Sequence, residues 1–300
     1  MTTTSVDTMI SQARRTARRA VTSVRCDNRL VSRYVFNGRA VRRYRKHPSV
    51  LAPVPARVAG ELAVAGVALT TVAEIVGDQA VFADLVGYTR QLRAAGVARP
   101  DAAKPYLTEL LGAEPELDPA NPLLRFALHP QVRGVAERYA AMRLKVQDIN
   151  IWVNEPGVGA AQQSQRWHRD LPEDYDIVKC FVYLQDVPPG AGPLQYVKGS
   201  NTPAGRKREF SAEFDGIGYR LADRDITDAF GEQQVVTAAG PAGTVVFADT
   251  RGIHRGGMAV DAERVVLQIT YSSDACFRPR NLRPAPGVDP AELPEVRLVR

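Results

Sequence analysis

Hydrophobic and polar positions along this chain change period near Lys145. Before that point they recur at helical spacing; after it they alternate, as strand residues with one buried face do. Over residues 146–154 the alternation sets Asp148, Asn150, Trp152 and Asn154 on one face and Gln147, Ile149, Ile151 and Val153 on the other. A polar and aromatic face backed by an aliphatic one suits a barrel wall with a wet pocket inside. A strand whose polar face meets solvent would carry the same pattern, so only placement against other functional residues separates the two. Residues 177–187 repeat it, with Lys179, Phe181, Tyr183 and Gln185 opposite Val178, Cys180, Val182 and Leu184. Residues 188–193 turn the chain and 194–198 return it; 235–237, 244–247 and 264–271 complete a set of strands.

The first half predicts helices. Residues 9–25 read as a basic amphipathic helix, with Ile10, Ala13, Ala17, Val21 and Val24 on one stripe. Residues 47–55 read as a linker, and 56–65 as a helix that Gly66 stops. Val67 to Leu69 suits an edge strand. Thr71 and Glu74 have capping-box spacing and open a helix. Further helices are expected over 80–95, around 106–111, after the Asn121–Pro122 N-cap pair, and from Pro130 to Leu144. His129, with no local carboxylate or second histidine, reads as a structural residue of the cap. The fold class expected is α+β with a mainly β core. Residues 1–50 form a basic arm and 51–300 a single domain: a helical flank to 145, a β core over 146–277, a lid-like insert at about 200–233, and an extended tail over 278–300.

Composition changes this picture little. Hydrophobic content of 45% with 24% charged residues is that of a soluble globular protein. No apolar run approaches the ~20 residues that span a bilayer, and no signal-peptide pattern opens the chain. Cys26, Cys180 and Cys276 lack metal-ligand spacing and read as reduced thiols of a cytoplasmic protein. The net charge of +6 is concentrated in the arm, where twelve basic residues from Arg14 to Lys46 face only Asp7 and Asp27. The arm fits a helix packed on its own domain or a partner subunit, a contact to nucleic acid or an anionic surface, or a transit peptide. Tyr34, Phe36 and Tyr44 lie among its arginines, without a nucleic-acid motif.

The chemistry concentrates elsewhere. His168 and Asp170 stand two apart in an extended segment and so project from one face, about 6.6 Å apart along the strand. His254 follows the strand-like run ending at Asp249. Two imidazoles and a carboxylate that leave one face of an octahedron open are the ligand set of non-haem Fe(II) oxygenases. Arg264 opens a β-branched run in which a buried guanidinium calls for an anionic partner.

The segments WHRD at 167–170, KCFVYLQDV at 179–187, GPLQYVKGS at 192–200 and GTVVF at 243–247 resemble the phytanoyl-CoA dioxygenase family of Fe(II)/2-oxoglutarate-dependent oxygenases. The resemblance covers residues 145–275 well and 55–145 loosely. It implies a double-stranded β-helix, the cupin-like jelly roll, with Fe(II), 2-oxoglutarate and O2. It implies His168, Asp170 and His254 as catalytic iron ligands and Arg264 as partner of the distal 2-oxoglutarate carboxylate. Phe181 falls beside the cosubstrate, and Asn150, Gln165 and Lys179 are polar candidates for further contacts. Gly256 stands where a small hydroxylated residue sometimes contributes a hydrogen bond. The activity implied is oxidation, by default hydroxylation, of a small molecule, as in secondary metabolism, with conversion of 2-oxoglutarate and O2 to succinate and CO2. Because Asp170 is present, halogenation is disfavoured. Two other readings stand beside it: an oxygenase acting on nucleic acid or protein through the arm, and a non-catalytic metal- or ligand-binding barrel. A monomer and a homodimer are equally compatible with the sequence.

Overall fold

Strand alternation, and the helical spacing before it, resolve into two main sheets and two further strand pairs, with a helical layer outside. The computed structural model of the chain describes residues 24, 26–96, 99–100, 104, 106–157, 160–170, 173–208, 210–216 and 218–299. The larger sheet runs Val67–Thr71, Thr244–Asp249, Val178–Tyr183, Arg264–Ser272, Lys145–Asn154, Leu107–Glu109, Arg99–Pro100. All its neighbours are antiparallel. The smaller sheet runs Val235–Thr237, Leu194–Val197, His254–Gly256, also antiparallel. This is the jelly-roll architecture, a mainly β core with flanking helices.

Register explains how one face became a site. Thr270 lies opposite Lys179 and Asp148, Gln268 opposite Phe181 and Asn150, and Val266 opposite Tyr183 and Trp152. The polar and aromatic faces of three strands therefore coincide, because a period of two keeps each set on one side. Their other face is dry. Ile149, Ile151, Cys180, Val182, Leu267 and Ile269 share an apolar core with Val58 and Leu62 of helix Pro53–Ala65 and Val132 and Val135 of helix Pro130–Ala140. Leu282, Leu293, Val296 and Leu298 of the tail enter the same core. Val296 and Leu298 form parallel bridges with Val146 and Leu282.

Local signals behave as the chemistry of caps and turns requires. Thr71 and Glu74 close a reciprocal capping box on helix Val72–Val76. Asn121 caps Pro122–Leu128 through its side chain, and the His129 ring accepts the Gln131 N–H at 3.3 Å. Gly66 ends Pro53–Ala65 at φ 80°, and a Cβ there would collide with the Tyr196 hydroxyl and Asn201. Val67–Thr71 is the edge strand expected, and helix Gln79–Ala94 the helix expected over 80–95.

Four expectations are corrected. The helix expected around 106–111 is the strand Leu107–Glu109, because the open edge of Lys145–Asn154 recruits it: Leu107 pairs with Asn154 and Glu109 with Trp152. The linker expected over 47–55 ends early, since Pro53 suits the first turn of a helix. The helix expected to reach Leu144 stops at Ala140, where Ala141 turns left-handed at φ 48° to free Lys145 for the sheet. The strand expected over 177–187 spans Val178–Tyr183. The basic helix expected over 9–25 lies outside the described residues apart from Val24. Further along the arm, Val31–Phe36 and Gly38–Lys46 are helical, and the buried Arg33 guanidinium donates to the carbonyls of Ala140 and Ala141. The insert carries two short helices, Pro203–Arg206 and Asp223–Phe230, and the paired strands Glu213–Phe214 and Tyr219–Arg220. Among the described residues no helix is long and apolar enough to cross a membrane.

Candidate metal and cosubstrate site

His168 and His254 face each other across a single antiparallel bridge, exchanging backbone hydrogen bonds of 3.0 and 2.9 Å. This brings their ring centroids to 4.4 Å. Each ring places Nδ1 against a backbone carbonyl two residues earlier, His168 on Arg166 at 2.9 Å and His254 on Gly252 at 3.0 Å. A carbonyl oxygen only accepts, so both Nδ1 atoms carry the proton and both Nε2 lone pairs are free. Asp170 is tethered by its own N–H to the Thr250 carbonyl at 2.9 Å. Its Oδ1 stands 3.9 Å from His168 Nε2 and 3.8 Å from His254 Nε2. Those gaps are too wide for hydrogen bonds. One ligand atom from each of the three residues falls within a span of 4.8 Å.

The electrostatics favour a cation between them. Burial holds both imidazoles below their ordinary range, and the His254 ring depresses His168 further. Burial would raise Asp170, but Lys179 first and then the two imidazoles outweigh it and hold the carboxyl well below its usual range. Two neutral nitrogen donors and one ionised oxygen donor, with no competing hydrogen bond among them, are chemically suited to a divalent transition metal.

The same cavity, about 440 Å³, extends along the sheet to Arg264. Arg264 is 8% exposed, and its Nε and Nη1 find no hydrogen-bond partner among the described residues. A guanidinium so placed asks for an anion, and its planar fork matches a carboxylate. Gly256 makes room for it: a Cβ there would stand 3.1 Å from Arg264 Nη2. Glycine at this position contributes space where a hydroxylated residue would contribute a hydrogen bond.

His168, Asp170, His254, Arg264, Phe181, Asn150 and Lys179 all line this one cavity. Two of them are engaged with protein. Asn150 donates to the Gly112 carbonyl at 3.1 Å and accepts from Leu111 N–H at 3.3 Å, pinning the adjoining loop. Lys179 Nζ lies 2.6 Å from Asp170 Oδ2. Gln165 is not brought to the cavity. Its Oε1 accepts the Gln162 N–H at 2.9 Å, closing the short turn Gln163–Gln165, and it borders a separate surface hollow. The Trp152 indole N–H, unpartnered among the described residues, also belongs to the cavity wall.

Three participants escaped the sequence reading. Arg278 and Asn281, from the tail, close the end beside Lys179 and Asp170 by donating to Asp148 at 3.3 and 2.8 Å. Asp249, fully buried, anchors the turn that carries His254. Its Oδ1 accepts from Arg251 N–H at 3.0 Å, and its Oδ2 accepts from Tyr139 at 2.6 Å, Arg206 at 2.9 Å and Asn201 at 3.3 Å. The available signal was an acidic residue ending an otherwise apolar strand.

Fold and site together define a jelly roll with a two-histidine, one-carboxylate cluster at one end of its cavity. The family model "Phytanoyl-CoA dioxygenase (PhyH)" matches residues 96–260, more than half of the chain, and the chain belongs to that family. Its members are Fe(II)/2-oxoglutarate-dependent oxygenases. No curated protein matches the sequence. Among solved structures, the epimerase SnoN in complex with Fe3+, alpha ketoglutarate and nogalamycin RO is similar at 20% identity and a TM-score of 0.54, over 82% of this chain and 96% of that one. EctD from S. alaskensis with 2-oxoglutarate and 5-hydroxyectoine is similar at 18% identity and a TM-score of 0.53, over 84% and 91%. AviO1 from Streptomyces viridochromogenes Tue57 is similar at 17% and 0.51, over 77% and 100%. These likenesses show the fold.

Proposed function

We propose that this chain is an Fe(II)/2-oxoglutarate-dependent dioxygenase that hydroxylates a small-molecule substrate, of the kind met in secondary metabolism. The observation that carries the reading is the convergence of two free Nε2 lone pairs and one carboxylate oxygen at one end of a cavity whose other end holds an unpartnered guanidinium. His168, Asp170 and His254 would hold the iron, and Arg264 would take the distal carboxylate of 2-oxoglutarate. Iron held there would supply the redox chemistry that couples dioxygen to 2-oxoglutarate.

The chain's own residues do the rest. The two Nδ1–carbonyl bonds fix the tautomer and the plane of each imidazole. Lys179 occupies Asp170 Oδ2, so that Oδ1 alone faces the imidazoles. With Asp170 as a carboxylate ligand, the residues would favour oxygen insertion over halogen transfer. Phe181 and Val266 give the middle of the cavity apolar walls between its two charged ends. The net reaction converts 2-oxoglutarate and O2 to succinate and CO2 and places one oxygen atom in a C–H bond of the substrate. SnoN is an epimerase and EctD was solved with a hydroxylated product, so the fold accommodates more than one outcome. Residues 51–300 are read as one oxygenase unit, because the helical flank, the strands and the tail share one apolar core, into which Ala40 and Val41 of the arm also pack.

The test is anaerobic reconstitution with Fe(II), followed by measurement of succinate and O2 consumption. One iron per chain and equimolar consumption of O2 and 2-oxoglutarate are expected. Metal binding without 2-oxoglutarate turnover, with or without substrate candidates, would refute the assignment.

A further inference from the structure

A second cavity, of about 470 Å³, meets the first at Asp170 and shares no other lining residue with it. We infer that this cavity receives the primary substrate, and that the substrate has a flat aromatic body carrying one anionic group. The inference rests on the oxygenase reading, which makes Asp170 a metal ligand. A carbon that is to be oxidised must approach the metal, and this cavity ends on one of the metal's ligands. Its volume lies within the range of small-molecule sites.

The walls are rings. Tyr175 is held by two guanidinium groups, Arg206 at 5.1 Å and Arg251 at 5.7 Å from its ring centre. Phe210 stacks on Phe230 with centroids 6.2 Å apart. Tyr219 pairs with Phe214 at 5.4 Å, and these two rings are 62% and 60% exposed. Large rings left in water at the mouth of a cavity are surface that a flat ligand would cover. Phe210 and Tyr219 both belong to the insert, which thereby forms one side of the cavity rather than a remote surface loop.

The charges decide the second half of the inference. Arg169 is consumed by the carbonyls of Ser200, Arg251 and Gly205, at 2.8, 2.9 and 3.0 Å. The charge of Arg206 is paired with Asp249 at 2.9 Å, leaving its buried Nε without a partner among the described residues, and Arg251 pairs with Asp27 at 2.7 Å. Lys207 remains: it lines the cavity, is exposed, and has no hydrogen-bond or ion-pair partner among the described residues. One available cation beside ring faces selects a single anionic group on an aromatic frame.

The probe is 2-naphthoate, with gluconate, 2-naphthylmethylamine and 2-naphthalenemethanol as controls. Calorimetry on the full chain without added metal, with saturating 2-oxoglutarate present to occupy Arg264, reads the second cavity. The absorption band of the anaerobic Fe(II)–2-oxoglutarate complex reads the metal site. Saturable naphthoate binding that shifts this band is expected, with no binding of gluconate and at least about tenfold weaker binding of the amine. Phe210→Ala and Tyr219→Ala should each weaken naphthoate by about tenfold through lost ring burial. Lys207→Gln should weaken naphthoate by a similar factor and leave the neutral alcohol unchanged. These side chains are at the surface or the cavity wall, and circular dichroism checks that each variant is folded. Absence of saturable naphthoate binding, indifference to all three substitutions, or binding that leaves the band unmoved would overturn the inference. If naphthoate binds but no iron complex forms, the oxygenase reading fails; if the complex forms but naphthoate does not bind, the second cavity has been misread.

Discussion

Lys179 and Asp170 divide the carboxylate between two tasks: the ammonium sits 2.6 Å from Oδ2, while Oδ1 stands 3.8 and 3.9 Å from the two imidazole Nε2 atoms. Lys179 comes from the large sheet and Asp170 from the segment leading out of the histidine bridge. The pair therefore couples the sheet to the proposed ligand set without a metal. Lys179→Met should leave a mostly buried carboxylate unpaired and destabilise the metal-free protein by about 1–3 kcal/mol. Added Fe(II) should recover much of that loss, because the ion supplies the missing positive charge. Lys179→Arg should retain most of the stability without metal. Denaturant melts with and without Fe(II) check this; identical metal-free stabilities for wild type and Lys179→Met would show that the pair does not hold Asp170.

In the proposed ligand set, each histidine would supply one of only three protein ligands. His168→Ala and His254→Ala should each abolish tight Fe(II) binding and turnover while the secondary structure survives, since the strands are held by their own ladders and the apolar core. Iron content by mass spectrometry, with far-ultraviolet circular dichroism alongside, decides it. Full iron stoichiometry in either variant would displace that histidine from the ligand set.

Arg264 and Gly256 form a linked pair at the other end of the cavity. Arg264→Lys keeps the charge but loses the planar fork, so the 2-oxoglutarate requirement should rise about ten- to a hundredfold, equivalent to roughly 1.5–3 kcal/mol. Fe(II) affinity should change little. Gly256→Ala brings a Cβ to 3.1 Å from Nη2 and should raise the same requirement by a smaller factor, by displacing the guanidinium. Steady-state KM for 2-oxoglutarate checks both, and an unchanged KM in Arg264→Lys would move the carboxylate contact elsewhere.

The meeting of His168, Asp170 and His254 was legible in the sequence because its signals are local or chemically specific. His168 and Asp170 are two apart, and His254 and Arg264 each open a strand. The polar face of each strand was legible for a similar reason, since a period of two sorts Asp148, Asn150 and Trp152, and Lys179 and Phe181, to one side of their strands. That these faces coincide and line a pocket came only with the register. Partners chosen by tertiary packing were not legible. Lys179 reads as a cosubstrate contact until the fold shows Asp170 beside it. Gln165 reads as a site residue because of its neighbours, yet a local turn claims its amide. Leu107–Glu109 reads as helix because propensity is local, whereas the open sheet edge that recruits it is forty residues away in sequence. Arg278 and Asn281 stand in a proline-rich tail that has no periodicity to read.

Asp176 lies apart from the metal ligands and gives the protein a distinct pH signature. It is buried, its Oδ2 has no hydrogen-bond partner among the described residues, and its carboxyl is pushed up to about 7. Burial is the main cause; the carboxylates of Asp174 and Asp249 add to it, and Arg33 and Arg206 offset part. An unfolded aspartate titrates near ~3.9, so the folded state holds this proton more tightly than the unfolded state. The sign follows from linkage: the stabilising contribution is fully present below about pH 4 and is lost as pH rises through about 7. Above that, the native protein carries a buried charge without a hydrogen-bonded partner. Asp176→Asn cannot ionise and should remove this component. Between pH 5 and pH 8 the wild type should lose roughly 2–4 kcal/mol relative to the variant. Taking the difference between the two proteins cancels every group they share. Urea melts at pH 5, 6.5 and 8 supply the measurement. Parallel pH dependences in the two proteins would mean that Asp176 is ionised at neutral pH and paired with Arg33 or Arg206.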